Sequence, residues 1–182
     1  VAKLLVKVMT RLTLLIAFAY FLKKYTLSQS TGYFGCLTTH QECPNENVTF
    51  FLYTKSTADN PELLDLRTIK NANFVKDRPM ILLIHGYTGD KDYSPNSHIR
   101  PAIFRKDDFN VISIDYSVLA EYPCYITAVG NLPTIANCTA QFLDYIIDNQ
   151  IFSIDSIHVI GFSLGAQVSF AKLIDREANT NF

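Results

Sequence analysis

The segment Ser156-Ile157-His158-Val159-Ile160-Gly161-Phe162-Ser163-Leu164-Gly165-Ala166 constrains the chain more than any other. Its first five residues are an apolar run and predict a buried strand. Residues from Ala166 to Ile174 predict a helix. Gly-x-Ser-x-Gly between strand and helix puts the serine on a sharp, strained turn, its hydroxyl pushed out beyond the sheet. Gly161 and Gly165 flank it because side chains there would clash across the turn. A helix starting behind Ser163 turns its positive end toward any negative charge forming nearby. The N–H of Leu164 is then aimed at an oxyanion. Three fixed positions also arise by chance, as an ordinary glycine-rich turn. The strand before the motif and a second motif elsewhere favour a nucleophilic serine.

The second motif is Pro79-Met80-Ile81-Leu82-Leu83-Ile84-His85-Gly86-Tyr87-Thr88-Gly89. Its apolar stretch Met80 to Ile84 predicts a strand buried on both faces, as in a parallel sheet. The strand ends at His85-Gly86, where the backbone must turn. The N–H of Tyr87 is the candidate second donor to an oxyanion. His85 invites assignment as the general base. The base follows the serine in α/β-hydrolases, however, so His85 is expected to shape the loop by hydrogen bonding.

Further strands are expected at Val48 to Thr54, beside an antiparallel edge, within Leu63 to Ala72, and at Phe109 to Ile114. Gly89 to Asn96 reads as a loop and Ile99 to Lys106 as a short helix, with Pro101 near its start. Ala128 to Asn149 predicts a long amphipathic helix with Leu132, Ile135, Ala136, Phe142, Ile146 and Ile147 on one face. Pro133 sits in an early turn or kinks it. The expectation is an α/β-hydrolase fold: a mostly parallel central sheet flanked by helices, incomplete at the C-terminus. Residues 1–30 are read as a targeting segment, 31–47 as a cysteine-bearing linker and 48–182 as the N-terminal part of a catalytic domain.

Three stretches carry a resemblance: Ile84-His85-Gly86-Tyr87-Thr88, Val111-Ile112-Ser113-Ile114-Asp115-Tyr116-Ser117 and Ile157 to Ala166. Together they resemble the pancreatic-lipase family, and most of all its insect branch, which includes the wasp-venom phospholipases A1. Cys43-Pro44 followed by Phe50-Phe51-Leu52-Tyr53-Thr54 resembles the start of that catalytic domain. The resemblance covers roughly residues 43 to 175. It implies a secreted serine hydrolase acting on lipid esters, phospholipid or acylglycerol, at a membrane or lipid interface and without a cofactor. Ser163 is the implied nucleophile. Phe162 and Gln167 stand where many members carry histidines, and Tyr116 where a tryptophan is common. A second class of reading is a non-catalytic lipid- or hormone-binding relative, as in the yolk proteins.

Chain order in this fold is serine, then acid, then histidine. In the resembling family the acid follows the serine by about two dozen residues. Phe182 is nineteen residues past Ser163, and all four histidines, at 40, 85, 98 and 158, precede it. Asp175 is too close to Ser163 and reads as a solvated charge. The expectation is the N-terminal part of a longer hydrolase, or a broken gene product, that alone is inactive.

Net charge is −1. Five of the sixteen basic residues lie in 1–30, which holds no acid; the remaining eleven face seventeen acidic residues, a net of −6. That balance argues against nucleic acid or an acidic membrane held by charge. Nothing points to particular protein partners. The apolar run Leu12 to Leu22, behind basic residues, reads as a cleaved signal, with Ser28 and Ser30 before a cut near Thr31; a signal anchor is the alternative. It is too short to span a bilayer.

Four cysteines, Cys36, Cys43, Cys124 and Cys138, after such a segment suggest disulfides, with three connectivities open. The family resemblance implies Cys43 with Cys124, leaving Cys36 and Cys138 paired or free; a Cys124–Cys138 clip is the other pattern among insect relatives. Asn47-Val48-Thr49 and Asn137-Cys138-Thr139 are glycosylation sequons in a secreted protein.

Overall fold

The computed structural model describes residues 35–40, 42–93 and 95–169. By internal contacts the chain divides into units Val1–Leu37 and Thr38–Phe182; only residues 35–37 of the first are described. Residues 1–30, read above as a targeting segment, lie outside the described residues, as do Asp175 and the part of the expected helix after residue 169.

The second unit is built on β1 (Thr49–Tyr53), β2 (Glu62–Leu64), β3 (Met80–Ile84), β4 (Asn110–Asp115) and β5 (Ile157–Gly161). They form one sheet in the order β2-β1-β4-β3-β5. β3 pairs in parallel with β4 and β5. β1 pairs antiparallel with both β2 and β4. Four of the five strands therefore point one way and β1 alone is reversed. The expected antiparallel edge is present: β2 is the edge strand and β1, beside it, runs the opposite way. It is wedged between β2 and β4, and half of the pairings are antiparallel.

Period-2 alternation explains the layering. Phe50 and Leu52 of β1, Met80, Leu82 and Ile84 of β3, and Ile112 and Ile114 of β4 enter one apolar cluster. Tyr53, Ile81, Leu83 and Val111 enter another. All five residues of β3 are buried. A parallel neighbour can be reached only by a crossover, and two helices supply them. α1 (Asn96–Lys106) joins β3 to β4, and α2 (Tyr125–Asp148) joins β4 to β5. α2 covers the first cluster through Ile135, Ala136, Phe142 and Ile146, and the Phe142 ring stacks on Phe50 at 3.8 Å. Of the residues expected on that face, Leu132 and Ile147 are only half-buried. α1 covers the second cluster with Phe104, Ile99 and Ile103.

Both helices start earlier than their sequence signals. α1 begins at Asn96, so Pro101 lies inside it rather than in its first turn. The Asp- and Ser-rich stretch before it is held by Asp90, whose Oδ1 accepts the N–H groups of Asp92 and Tyr93. α2 begins at Tyr125, and Pro133 is again internal. Pro133 and Val129, one turn earlier, both lie on the exposed side, where water can take the carbonyl a proline leaves unpaired.

Two residues ahead of β1 are tied to α2. Thr39 donates its N–H to Asn131 Oδ1 of α2, and Cys43 is disulfide-bonded to Cys138 of α2, Cα to Cα 5.2 Å. This pairing overturns the expected Cys43–Cys124 bridge and the Cys124–Cys138 alternative. The reason is geometric. α2 lays Cys138, in its middle, on its buried side against the chain entering β1, whereas Cys124 caps the helix's N-terminus about four turns away. All four cysteines are disulfide-bonded, so no free thiol is present among the described residues.

Candidate active site

β3 and β5 are neighbours, but the segments that leave them part to opposite faces. After β3 the chain runs into α1, on the side of Ile81 and Leu83. After β5 it becomes helical at residues 164–169, and Leu164 and Val168 pack into the cluster on the other side. Such a parting at the carboxyl ends of parallel strands opens a crevice where ligands bind in α/β sheets. Here the segments that part are His85-Gly86-Tyr87 and Phe162-Ser163-Leu164.

Ser163 has φ +53°. A non-glycine residue in the left-handed region is strained, and it persists only where its surroundings hold it. Phe162 N–H donates to Ile84 O at 3.0 Å, extending the β3–β5 ladder up to the turn. Gly165 N–H then bonds Phe162 O, and Ala166 N–H bonds Ser163 O, closing the first helical turn behind the serine. A Cβ at Gly165 would overlap the carbonyl oxygens of Ile84 and His85; one at Gly161 would overlap Ser169 Oγ and the Gly165 carbonyl. The motif's glycines are thus explained by close approach of backbones. The Ser163 side chain is exposed, while Leu164 is buried in the core, which pins the backbone N–H beside it at the open first turn.

The facing loop is equally constrained. A Cβ at Gly86 would lie 2.9 Å from Ser163 Cβ, so loop and serine touch. Thr88, β-branched, has φ +59°, and its N–H is tied to Ala120 O at 2.8 Å. Tyr87 is half-buried between Gly86 and this anchored residue, its ring edge-on to Tyr125 at 5.1 Å.

His85 is fully buried. Its Nε2 accepts the Tyr116 N–H at 3.2 Å, which leaves Nδ1 to donate to Gly86 O at 2.8 Å. Tyr116 also stacks on the imidazole at 3.8 Å and donates its hydroxyl to His85 O. Asp115 Oδ1 lies 4.0 Å from Nε2, too far for a hydrogen bond. Burial lowers the His85 pKa despite the Gly86 carbonyl and the carboxylates of Asp115 and Asp90, which pull the other way. The ring is neutral with both nitrogens engaged and does not address Ser163. His40, His98 and His158 are exposed. Among the described residues the Ser163 hydroxyl has no hydrogen-bonded base.

A cavity of about 660 Å³ lies elsewhere, between the chain entering β1, β2 and α2, lined by Phe50, Leu64, Phe142 and the Cys43–Cys138 pair. No serine or histidine lines it, so chemistry rather than volume selects Ser163. The two sequons differ. Asn47 lies in a turn, whereas Asn137 is half-buried within α2, its amide directed at Cys43 Sγ, with Thr139 buried and bonded to Ile135 O.

Sequence reasoning passed over Tyr125 and a charged group under α1. Arg100 Cζ lies over the Tyr53 ring, 3.6 Å from its centre, and the guanidinium donates to Asp92 Oδ1 at 2.7 Å; the Tyr53 hydroxyl donates to the same oxygen. An arginine on a stripe with Ile99 and Ile103 was the available signal, because a buried guanidinium requires an acidic partner.

Fold and site together define an α/β protein with a serine at a strand–turn–helix elbow. A family model described as Lipase matches residues 23–172. The chain belongs to the lipase family, whose α/β-hydrolase fold the five-stranded sheet and its helices match in part. It is 31% identical over 142 residues to Phospholipase A1 of Polybia paulista, covering 70% of this chain and 44% of that protein. It is 30% identical over 123 residues to Inactive pancreatic lipase-related protein 1 of Homo sapiens, covering 66% and 26%. With Pancreatic triacylglycerol lipase of Myocastor coypus it shares 28% over 125 residues, covering 68% and 27%. The chain thus spans less than half the length of these relatives.

Proposed function

We propose that this chain is the nucleophile-bearing part of a secreted lipid ester hydrolase, a phospholipase A1 or triacylglycerol lipase. The observation that carries this is Ser163, held at φ +53° at the strand–helix turn with Gly86 against its side chain. In this reading Ser163 Oγ attacks the ester carbonyl, and the N–H groups of Leu164 and Tyr87 hold the oxyanion. Collapse expels the alcohol and leaves an acyl-serine, which water hydrolyses. The donors are backbone groups, fixed by the buried Leu164 side chain and by the Thr88–Ala120 bond, so little reorganisation is needed as charge develops.

The base and its acid are assigned to sequence beyond Phe182, in keeping with the chain order of the fold. Residues 1–182 alone are expected to hydrolyse esters only at the residual level of a triad lacking its base, about 10³–10⁴-fold over water. Disulfide bonding of all four cysteines supports export to an oxidising compartment. One similar relative bears the name of an inactive lipase, which keeps a non-catalytic lipid-binding role as the second reading. Ser163→Ala in the whole protein separates the two. Hydrolysis of phospholipid and triglyceride falls by at least about 10³-fold if Ser163 is the nucleophile; unchanged turnover, or none in the parent, rejects the assignment.

A further inference from the structure

Two Asn-x-Thr sequences, Asn47-Val48-Thr49 and Asn137-Cys138-Thr139, play no part in the esterase reading. The fold gives them different surroundings. Asn47 sits in a turn ahead of β1, where Val48 N–H donates to Asn45 O at 3.0 Å and Asn47 N–H donates to Asn45 Oδ1 at 3.0 Å. The preceding Glu46 is exposed, and among the described residues the Asn47 carboxamide has no hydrogen-bond partner. A surface turn suits an N-glycan acceptor, because the sugar is bulky and must stay in water.

Asn137 lies instead in the middle of the 24-residue α2. Its Nδ2, the atom a sugar would be joined to, donates to Cys43 Sγ at 3.7 Å. Cys138, the central residue of the triplet, is buried and disulfide-bonded to Cys43. Thr139 is buried as well, its hydroxyl donating to Ile135 O at 2.7 Å. Once folded, this site offers a transferase neither amide nor hydroxyl. Cys43 precedes Cys138 by 95 residues, so its thiol has already entered the oxidising compartment when Asn137 emerges there.

We infer that Asn47 carries an N-linked glycan and that the Cys43–Cys138 disulfide withholds Asn137 from the same modification. The inference rests on the export half of the proposed function, since the sugar donor, a polyprenyl-diphosphate-linked oligosaccharide, is met in the secretory compartment. In the transfer Asn47 Nδ2 bonds the anomeric carbon and gives up one proton to a base of the transferase. The bond from that carbon to the diphosphate oxygen breaks, and the polyprenyl diphosphate leaves with the electron pair. At Asn137, bridge formation and sugar transfer compete for one segment. The bridge needs α2 formed with Cys138 turned inward, whereas acceptors are taken from turns and loops. Sequence following Phe182 is made after Asn47 has passed the transferase, so it does not decide the outcome.

The test is expression of the whole protein in a eukaryotic secretory cell, once with its own N-terminus and once behind an added cleavable export signal. Peptide N-glycosidase converts each sugar-bearing asparagine to aspartate, so mass mapping after digestion in heavy-oxygen water marks it. Behind the added signal the protein is expected to carry one glycan, at Asn47. Asn47→Gln loses it, and Asn137→Gln migrates like the parent. Cys43→Ser, which leaves both triplets intact, is expected to gain a second glycan at Asn137. Cys138→Ser, which keeps Asn137 and Thr139, is expected to do the same. These readouts are covalent and do not require a variant to fold. The inference is overturned if the added-signal parent carries no glycan or carries one at Asn137, or if neither cysteine variant gains one there. A glycan on Asn47 behind the added signal but not behind the chain's own N-terminus would support the acceptor and reject the export reading alone.

Discussion

Ser163 stands directly against Gly86: a methyl group on that glycine would lie 2.9 Å from the serine Cβ. The contact joins the ends of β3 and β5 and leaves no space between the proposed nucleophile and the loop carrying the Tyr87 amide. Gly86→Ala must therefore shift the serine or the loop. In the catalytically competent protein it is expected to lower kcat/KM by about 100-fold, with a small loss of stability. Gly165→Ala is a contrasting case, because its Cβ would meet the rigid carbonyls of Ile84 and His85. That substitution is expected to cost about 3 kcal/mol in urea denaturation. Full activity in Gly86→Ala would contradict the packed arrangement.

The Arg100–Asp92–Tyr53 group makes a pH-dependent contribution to stability. Burial raises the Asp92 pKa, but hydrogen bonds from Lys91, Tyr53 and Arg100 outweigh it and hold the carboxyl at about 2, below its ordinary 3.8. A depressed carboxylate stabilises the fold above the unfolded-state value and loses that contribution as pH falls toward the folded value. Asp92→Asn is thus expected to cost about 1 kcal/mol at pH 7, a figure reduced for the solvent exposure of Asp92. The difference from the parent should vanish between pH 4 and 2. Chemical denaturation across this range checks it; a difference that persists at pH 2 would contradict the assignment.

The Cys43–Cys138 bridge closes a separation of 95 residues. Replacing both cysteines by serine is expected to lower stability by about 4 kcal/mol, chiefly through the freed unfolded chain. Peptide mapping without reduction should recover Cys43 linked to Cys138, and thiol titration should find no free cysteine. A Cys43–Cys124 peptide would contradict the structure.

The elbow was legible because its determinants are local: a strand, two small residues and a helix within one short stretch. β3 was legible because five consecutive apolar residues admit few placements other than a strand covered on both faces. The start of α1 was misplaced because Asp90 caps the preceding turn through its side chain, giving a segment of loop-like composition its order. The disulfide pairing was not legible, since it depends on where α2 lays Cys138 against a segment 95 residues earlier. The Tyr53–Asp92 bond, spanning 39 residues, escaped for the same reason. His85 lay between these cases. Its motif announced a loop, but the tautomer and the engagement of both nitrogens depend on Tyr116, which only the β3–β4 pairing brings alongside.

The most direct test is covalent capture of the nucleophile. The protein, expressed through the sequence that follows Phe182, would be treated with a serine-directed fluorophosphonate and digested for mass mapping. The adduct is expected on the Ser163 hydroxyl, with loss of ester hydrolysis in proportion to labelling and no labelling in Ser163→Ala. An active protein labelled at another residue, or one that still hydrolyses lipid after complete modification of Ser163, would contradict the account.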